Sequence, residues 1–474
     1  MSKPRNERIS ILRQYNPWWQ TGRVPDLPGW HRKVFRELWE WMTNPPTHRA
    51  VLLSGTRQVG KTTLLLQTIQ SLLQSGVPAA SILYVTFDHP MLKAASLEEV
   101  TSLWREVEPK QGDIEYLFLD EIQYAKDWQV WLKHQVDFQK ARRIAVTGSA
   151  TPLATEGIES GAGRWHTIRL GTLSFFEYLQ IRQIAIPALP DVKLLDELFN
   201  WTTAQFTRTA ELAKPLVGHF HEYLLHGGFP QTALIENITV AQRLLREDIV
   251  DKVLRRDMTA LFGVRRVMEL EQTFLYLCLH DGGLLDIAAL CRNLQVKKPT
   301  VLNFLALLEA THLIHRLPPF GYGKEVLRGQ HKVYLADASI APSILLRGKS
   351  LLEDTQALGT AVETAFVNHV IMHYAATSSG LAYWKGTRGI EVDIIVSTER
   401  GQMPFEVKYQ SQPVTITDIK GLLQFCSERK VAYAYVVSRD ITNFEHLTLN
   451  QMNADVKVIM IPAALACYWL GRQA

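Results

Sequence analysis

The feature that most narrows what this chain can fold into is an eight-residue string, Gly55-Thr56-Arg57-Gln58-Val59-Gly60-Lys61-Thr62, extended by Thr63. It follows the apolar run Ala50–Leu53 and Ser54 and precedes Lys61–Thr68, a good helix start. That strand–loop–helix order is the context a phosphate-binding loop requires. Gly55 and Gly60 let the backbone curl so that its N–H groups point inward at phosphate oxygens. A helix beginning at Lys61 adds its positive dipole end. The spacing assigns Lys61 to the β- and γ-phosphates of ATP and the Thr62 oxygen to Mg²⁺.

A second string fits the first. Tyr116-Leu117-Phe118-Leu119-Asp120-Glu121 reads as a buried strand ending in two acids, with Asp120 placed 59 residues after Lys61. Asp120 is expected to hold a water of the Mg²⁺ shell and Glu121 to polarise the attacking water. A strand-like run at Ile82–Phe87 lies between, which points to the P-loop branch that activates water with a glutamate. A third run, Ile144–Thr147 followed by Gly148-Ser149, ends in small hydroxyl residues. Ser149, with Thr147 as second choice, is the candidate γ-phosphate reporter; a plain strand-ending turn is the alternative.

Short apolar runs alternate with helical stretches from 48 to 172, which predicts a parallel sheet covered on both faces. Residues 1–47 are tryptophan-rich, and the spacing of Val34, Leu38 and Trp41 predicts a helix packed on that core. Residues 173–266 read as a helical lid interrupted at Pro187, Pro190, Pro215 and Gly227-Gly228-Phe229-Pro230. Residues 267–329 read as short helices, and 330–474 alternate again. The expected class is therefore α/β: a P-loop module with a parallel sheet, a helical lid, a small helical module, and a second α/β domain.

Taken together, these strings and the later Gly161-Ala162-Gly163-Arg164, Leu173-Ser174-Phe175-Phe176-Glu177-Tyr178 and Gly227-Gly228-Phe229-Pro230 resemble the AAA+ ATPases of bacteria and archaea that carry a C-terminal domain of unknown function. The resemblance covers nearly the whole chain. It implies that Arg164 is an arginine finger acting on ATP bound to a neighbouring subunit, hence a homo-oligomeric, hexameric ring. It places no sensor-2 arginine; Arg243 and Arg246 are candidates only.

In the middle, Asp286–Cys291, a turn through Lys297-Lys298-Pro299-Thr300, and a following helix read as helix-turn-helix, with Thr300 as cap and Leu313–Leu317 starting a wing. From Arg292 to Lys332 there are seven basic and two acidic residues, a net +5 where the whole chain carries only +4. Contact of Lys297, Lys298 and Thr300 with duplex or branched DNA is the expectation; a packing spacer in a ring is the alternative.

In the last domain, Glu391–Val396 and Pro404–Lys408 read as a hairpin. Alternation puts Glu406 and Lys408 on one face, where Asp393 meets them if the register allows. Two carboxylates and a lysine make a Mg²⁺ site, with Asp393 and Glu406 as ligands and Lys408 positioning water. The arrangement resembles the PD-(D/E)XK nuclease fold, with Glu363 as its additional helix-borne acid.

The 474 residues are 47% hydrophobic and 21% charged, values of an ordinary globular protein. Four scattered cysteines form no CxxC pair, and no stretch approaches the roughly 20 apolar residues that span a bilayer. A cytoplasmic, membrane-free setting is expected. The sequence thus predicts an ATPase driving translocation or remodelling of DNA, its nuclease-like domain binding or cutting it. The competing expectation is a signalling or defence switch with the C-terminal domain as effector or docking module.

Overall fold

The computed structural model describes residues 3–148, 163–321, 323, 326, 329–374, 380–386, 389–451 and 454–473. The chain divides into two compact units. One comprises 1–171 with 310–312, the other 172–309 with 313–474.

The first unit is built on five strands: β1 (Ala50–Ser54), β2 (Ile82–Thr86), β3 (Glu115–Asp120), β4 (Arg142–Gly148) and β5 (Trp165–Arg169). They form one parallel sheet in the order β2-β3-β4-β1-β5. β1 and β3 are buried along their whole length, as parallel strands covered on both faces must be. β4 separates β1 from β3, so the loop after β1 and the acids ending β3 face each other across one intervening strand end. Ligands bind at such carboxyl ends in open α/β sheets.

The tryptophan-rich N-terminal segment seals the β2 edge of this sheet. Asn16 imitates a strand: its Nδ2 donates to the Tyr84 carbonyl at 2.8 Å, and its Oδ1 accepts from the Tyr84 N–H at 2.7 Å. The indoles of Trp18 and Trp19 both donate to the Ile82 carbonyl, at 3.3 and 2.9 Å. Satisfying an edge in this way denies it to another chain. The helix Phe35–Thr43 buries Leu38 and Met42. Val34 precedes that helix and Trp41 is only half-buried, stacked on His166 at 4.2 Å, so the buried face differs from the expected Val34/Leu38/Trp41 set.

The second unit opens with helices. Thr203–His226 runs straight through Pro215, contrary to the expected break. Pro215 is exposed, so the Glu211 carbonyl that loses its helical partner is left to water. The helix does end at His226, before Gly227. Three helices, Val267–Leu279, Ile287–Leu294 and Lys298–Ala310, precede β6 (Ile314–Leu317) and β7 (Lys332–Leu335), which pair antiparallel. The boundary expected at 330 therefore divides two paired strands. The third helix starts at Lys298, with Pro299 in its first turn where a missing N–H costs nothing. Thr300 is inside the helix rather than its cap.

The remaining strands are β8 (Gly380–Lys385), β9 (Glu391–Thr398), β10 (Gly401–Lys408), β11 (Tyr433–Ser438), β12 (Glu445–Gln451) and β13 (Ala454–Pro462), in the order β12-β13-β11-β10-β9-β8. The sheet is mixed: β10, β11 and β13 run parallel, and β8–β10 and β12–β13 pair antiparallel. The helix Lys420–Arg429 closes one core over it, with Leu422, Phe425 and Cys426 against Val392, Ile395 and Val436. Among the described residues no helix is long and apolar enough to cross a membrane.

Candidate functional site

The loop after β1 is shaped by backbone demands. A Cβ on Gly55 would meet the Leu170 carbonyl oxygen at 2.1 Å, so only glycine lets the loop pass the end of β5. Gly60 has φ +95°, a conformation that side chains rarely adopt, and it delivers the chain into the helix Lys61–Gln74. The Lys61 ammonium is buried and donates to the loop's own carbonyls, Gly55 O and Thr56 O, each at 2.8 Å. Arg57 donates to the Tyr124 hydroxyl at 3.0 Å. Gln58, also at positive φ, and Val59 complete the turn, and Thr63 follows Thr62 in the helix.

Asp120 gathers hydroxyls. Its Oδ2 accepts from Thr62 Oγ1 and from the Tyr84 hydroxyl, both at 2.8 Å, and its Oδ1 accepts from Thr147 Oγ1. Burial, with Asp120 beside it, pushes the Tyr84 hydroxyl far above the usual tyrosine range and keeps it a donor. Thr147 in turn accepts the Glu121 N–H at 2.9 Å, so it braces both acids. Ser149 lies outside the described residues.

Glu121 sits at φ +52°, ψ +46°, a left-handed conformation costing a non-glycine residue roughly 1–2 kcal/mol. Gln123 holds its Oε2 through the side-chain amide. Burial pushes the Glu121 carboxyl up, against the opposing pull of the Lys61 charge. A carboxylate raised towards neutrality is a better proton acceptor at working pH.

Two contributors carried no sequence signal. Arg32, buried in the N-terminal segment, donates to Val59 O at 3.0 Å and to Gly171 O at 2.8 Å, tying the phosphate loop to the end of the unit. Tyr84 is one polar tip in an apolar strand, and nothing local assigns it to Asp120.

Arg164 lies elsewhere. It immediately precedes β5, at the amino end of the sheet, and its Nε donates to both carboxylate oxygens of Asp137 at 3.1 Å. The registers of β1 and β5 put it level with the residue before Ala50, about 20 Å along the strands from Gly55.

In the second unit Arg292, Lys297 and Lys298 are exposed, the two lysines at the start of the helix Lys298–Ala310, with Thr300 half-buried. The basic count expected there shrinks in three dimensions. Arg316 is paired with Glu309, and Lys332 is buried among acids. Lys324, Glu325 and Arg328 lie outside the described residues. Arg243 is on the surface, 3.8 Å from Glu247.

The C-terminal carboxylates do converge. Asp393 Oδ1 accepts from Lys332 Nζ at 2.9 Å and its Oδ2 from the Val407 N–H at 2.9 Å. Lys408 Nζ pairs with Glu406 Oε1 at 2.7 Å, and Tyr334 donates to Glu363 at 2.7 Å. Burial first, then the Asp393 charge, pushes Glu363 and Glu406 each up to about 8. Nearby Asp281 is raised by burial to about 7. Lys332, which burial alone would lower, is held above the usual lysine range by Asp393, Glu363 and Glu391.

These raised carboxyls give a pH prediction. An unfolded glutamate releases its proton near 4.5, whereas the folded chain holds it to about 8. The native state therefore binds more protons in between, and stability falls as pH rises. The melting temperature of the full chain should drop steadily from pH 5 to pH 8.5, with part of that slope missing in Glu406→Gln. A flat profile would contradict the burial ascribed to these groups.

Three family profiles match successive parts of the chain: an AAA domain over residues 47–179, a domain of unknown function (DUF8612) over 217–351, and another (DUF4143) over 358–454. Similar proteins include an uncharacterized protein of Haemophilus influenzae, 26% identical over 60% of this chain and 66% of its own length. An uncharacterized protein of Methanocaldococcus jannaschii is 24% identical, over 60% of each chain. One of Mycobacterium tuberculosis is 26% identical over 82% of this chain and 77% of its own. The chain thus spans less than two thirds of the first two relatives. Solved structures overlap loosely: C. elegans PCH-2 at TM-score 0.26 and 12% identity, over 66% of this chain and 68% of that one. The replication initiator DnaA bound to AMPPCP and single-stranded DNA gives 0.25 and 16%, over 58% and 86%. The chain carries an AAA-type ATPase domain.

Proposed function

We propose that the chain hydrolyses ATP in a homo-oligomeric, hexameric ring and uses the energy to translocate or remodel duplex or branched DNA. The observation that carries the ATPase half is the meeting of Lys61, Thr62, Asp120 and Glu121 at the carboxyl ends of β1 and β3. These residues fit ATP and Mg²⁺. Lys61 would exchange the Gly55 and Thr56 carbonyls for β- and γ-phosphate oxygens, and Thr62 with Asp120 would hold Mg²⁺. That ion, when bound, neutralises charge on the phosphates. Thr147 and Tyr84 fix Asp120, and Glu121 takes the proton of the attacking water.

Arg164, too far along the sheet to reach its own phosphate loop, serves the site of the next subunit. An exposed stripe beside it supports this: Val130, His134 and Phe138 follow one another at helical spacing on the helix that carries Asp137.

The helices Ile287–Leu294 and Lys298–Ala310 with the β6–β7 pair act as a winged helix-turn-helix. Arg292, Lys297 and Lys298 meet phosphates at a helix start whose dipole favours anions. The mixed sheet with Glu363, Asp393, Glu406 and Lys408 is a PD-(D/E)XK-like domain that binds DNA. Replacing both Lys297 and Lys298 by Ala should weaken binding to all DNA sequences alike. It should also lower the slope of log K against log salt by about 2, at roughly 0.9 for each phosphate no longer neutralised. Salt titrations of wild type and the double variant check this; identical slopes would remove the lysines from the interface. If no DNA, single-stranded, duplex or four-way junction, raises ATP hydrolysis, the switch reading takes over.

A further inference from the structure

The carboxylates that a PD-(D/E)XK-like domain would present to a metal ion already surround a cation belonging to the chain. The ammonium of Lys332 is buried, its side chain 3% exposed, and lies 2.9 Å from Asp393, 3.3 Å from Glu391 and 3.7 Å from Glu363. We propose that Lys332 stands where a divalent ion would stand, so that this cluster is held together by an internal ammonium and does not bind metal.

Donor accounting favours this. A hard ion such as Mg²⁺ takes six oxygens, several of them water, and is held by one or two carboxylates that have an oxygen to give. Of the two Asp393 oxygens, one is taken by Lys332 and the other by the Val407 N–H. Glu363 Oε1 accepts from Tyr334, and Glu406 Oε1 is engaged by Lys408. Glu406 Oε2 is buried without a hydrogen-bond partner. Among the described residues no group of three or more His, Cys, Asp or Glu is placed to hold a metal ion.

Lys332 has a second consequence. It lies on β7, which pairs with β6, while its partners lie on β9 and the helix Thr355–Tyr374. The segment after β6 is tied to the same sheet: Phe320 N donates to Tyr383 O at 2.6 Å, and Tyr383 N donates to Pro318 O at 3.0 Å. The Tyr383 hydroxyl reaches the Gln330 carbonyl at 2.6 Å. The β6–β7 pair is thus fastened to the C-terminal sheet at its edge and, through Lys332, at the carboxylates. Where a nuclease would spend those acids on a metal, this chain uses them to join two modules. The assignment rests on the carboxylate geometry and not on the DNA reading.

The test is Mn²⁺ titration of the nucleotide-free full chain, read by the electron paramagnetic resonance of free Mn²⁺, with and without Glu406→Gln. Equal binding by the two proteins is expected. A tight Mn²⁺ equivalent in wild type that Glu406→Gln abolishes would overturn the proposal. Lys332→Met keeps the aliphatic stem and removes the ammonium. It should melt lower without metal and gain one Mn²⁺ equivalent that raises its melting temperature. A folded Lys332→Met that binds no more Mn²⁺ than wild type would equally overturn it. If that variant does not fold, the comparison of wild type with Glu406→Gln decides alone. The readout is metal binding only, so a chain that ignores DNA leaves the result intact.

Discussion

Glu121→Gln is expected to bind ATP as wild type does and to hydrolyse it about 10²–10⁴-fold more slowly, the usual contribution of a positioned general base. The amide keeps the shape of the side chain, and Gln123 remains beside it to hold the end of residue 121. What is lost is the proton acceptor. The left-handed turn at 121 and the Thr147 brace on its N–H are backbone features, so they survive the substitution. Lys61→Ala should behave differently, losing nucleotide binding itself because the ammonium that the loop wraps is gone. Binding of a fluorescent ATP analogue and single-turnover hydrolysis separate the two variants. Wild-type turnover by Glu121→Gln would assign water activation to another residue.

The phosphate site was legible because its signals are local. Apolar runs bounded by polar residues mark β1 to β4 to within a residue or two, and glycine, lysine and the paired acids have fixed offsets from those strands. What supports the site was not legible, because it arrives from far along the chain. Arg32 reaches Val59 across 27 residues and Tyr84 reaches Asp120 across 36. Nothing in the neighbourhood of either residue announces its partner.

Charge was read least well. Lys332 counts as one more cation of a basic module in the sequence, yet folding buries it among three carboxylates. A sum of charges cannot distinguish a solvated lysine from an internal counter-ion. Pro215 shows the opposite limit of a local rule. A helix keeps a proline when the abandoned carbonyl faces water, and exposure is decided by tertiary packing. β12 is hidden for a further reason: it mixes Glu445, His446, Thr448 and Asn450 with Leu447 and Leu449, a half-polar pattern that becomes a strand through pairing with β13.

Arg164→Ala is expected to lower ATP turnover about 10³-fold or more, as loss of an arginine finger does, while leaving the melting temperature nearly unchanged. Its ion pair with Asp137 is partly solvent-exposed, 30% and 35% for the two side chains, and pairs of that kind contribute at most about 1 kcal/mol. Asp137→Ala, which frees the same guanidinium, should therefore retain activity. The decisive result comes from mixing. Arg164→Ala subunits carry an intact Glu121, and Glu121→Gln subunits carry an intact Arg164. If the arginine acts between subunits, the two inactive proteins form some complete sites when combined, and hydrolysis reappears in proportion to those mixed interfaces. If Arg164 serves its own subunit, no combination of the two can assemble a complete site, and the mixture stays inactive. The position of Arg164, about 20 Å along the strands from its own phosphate loop, favours the first outcome, and with it a site that no isolated subunit can complete.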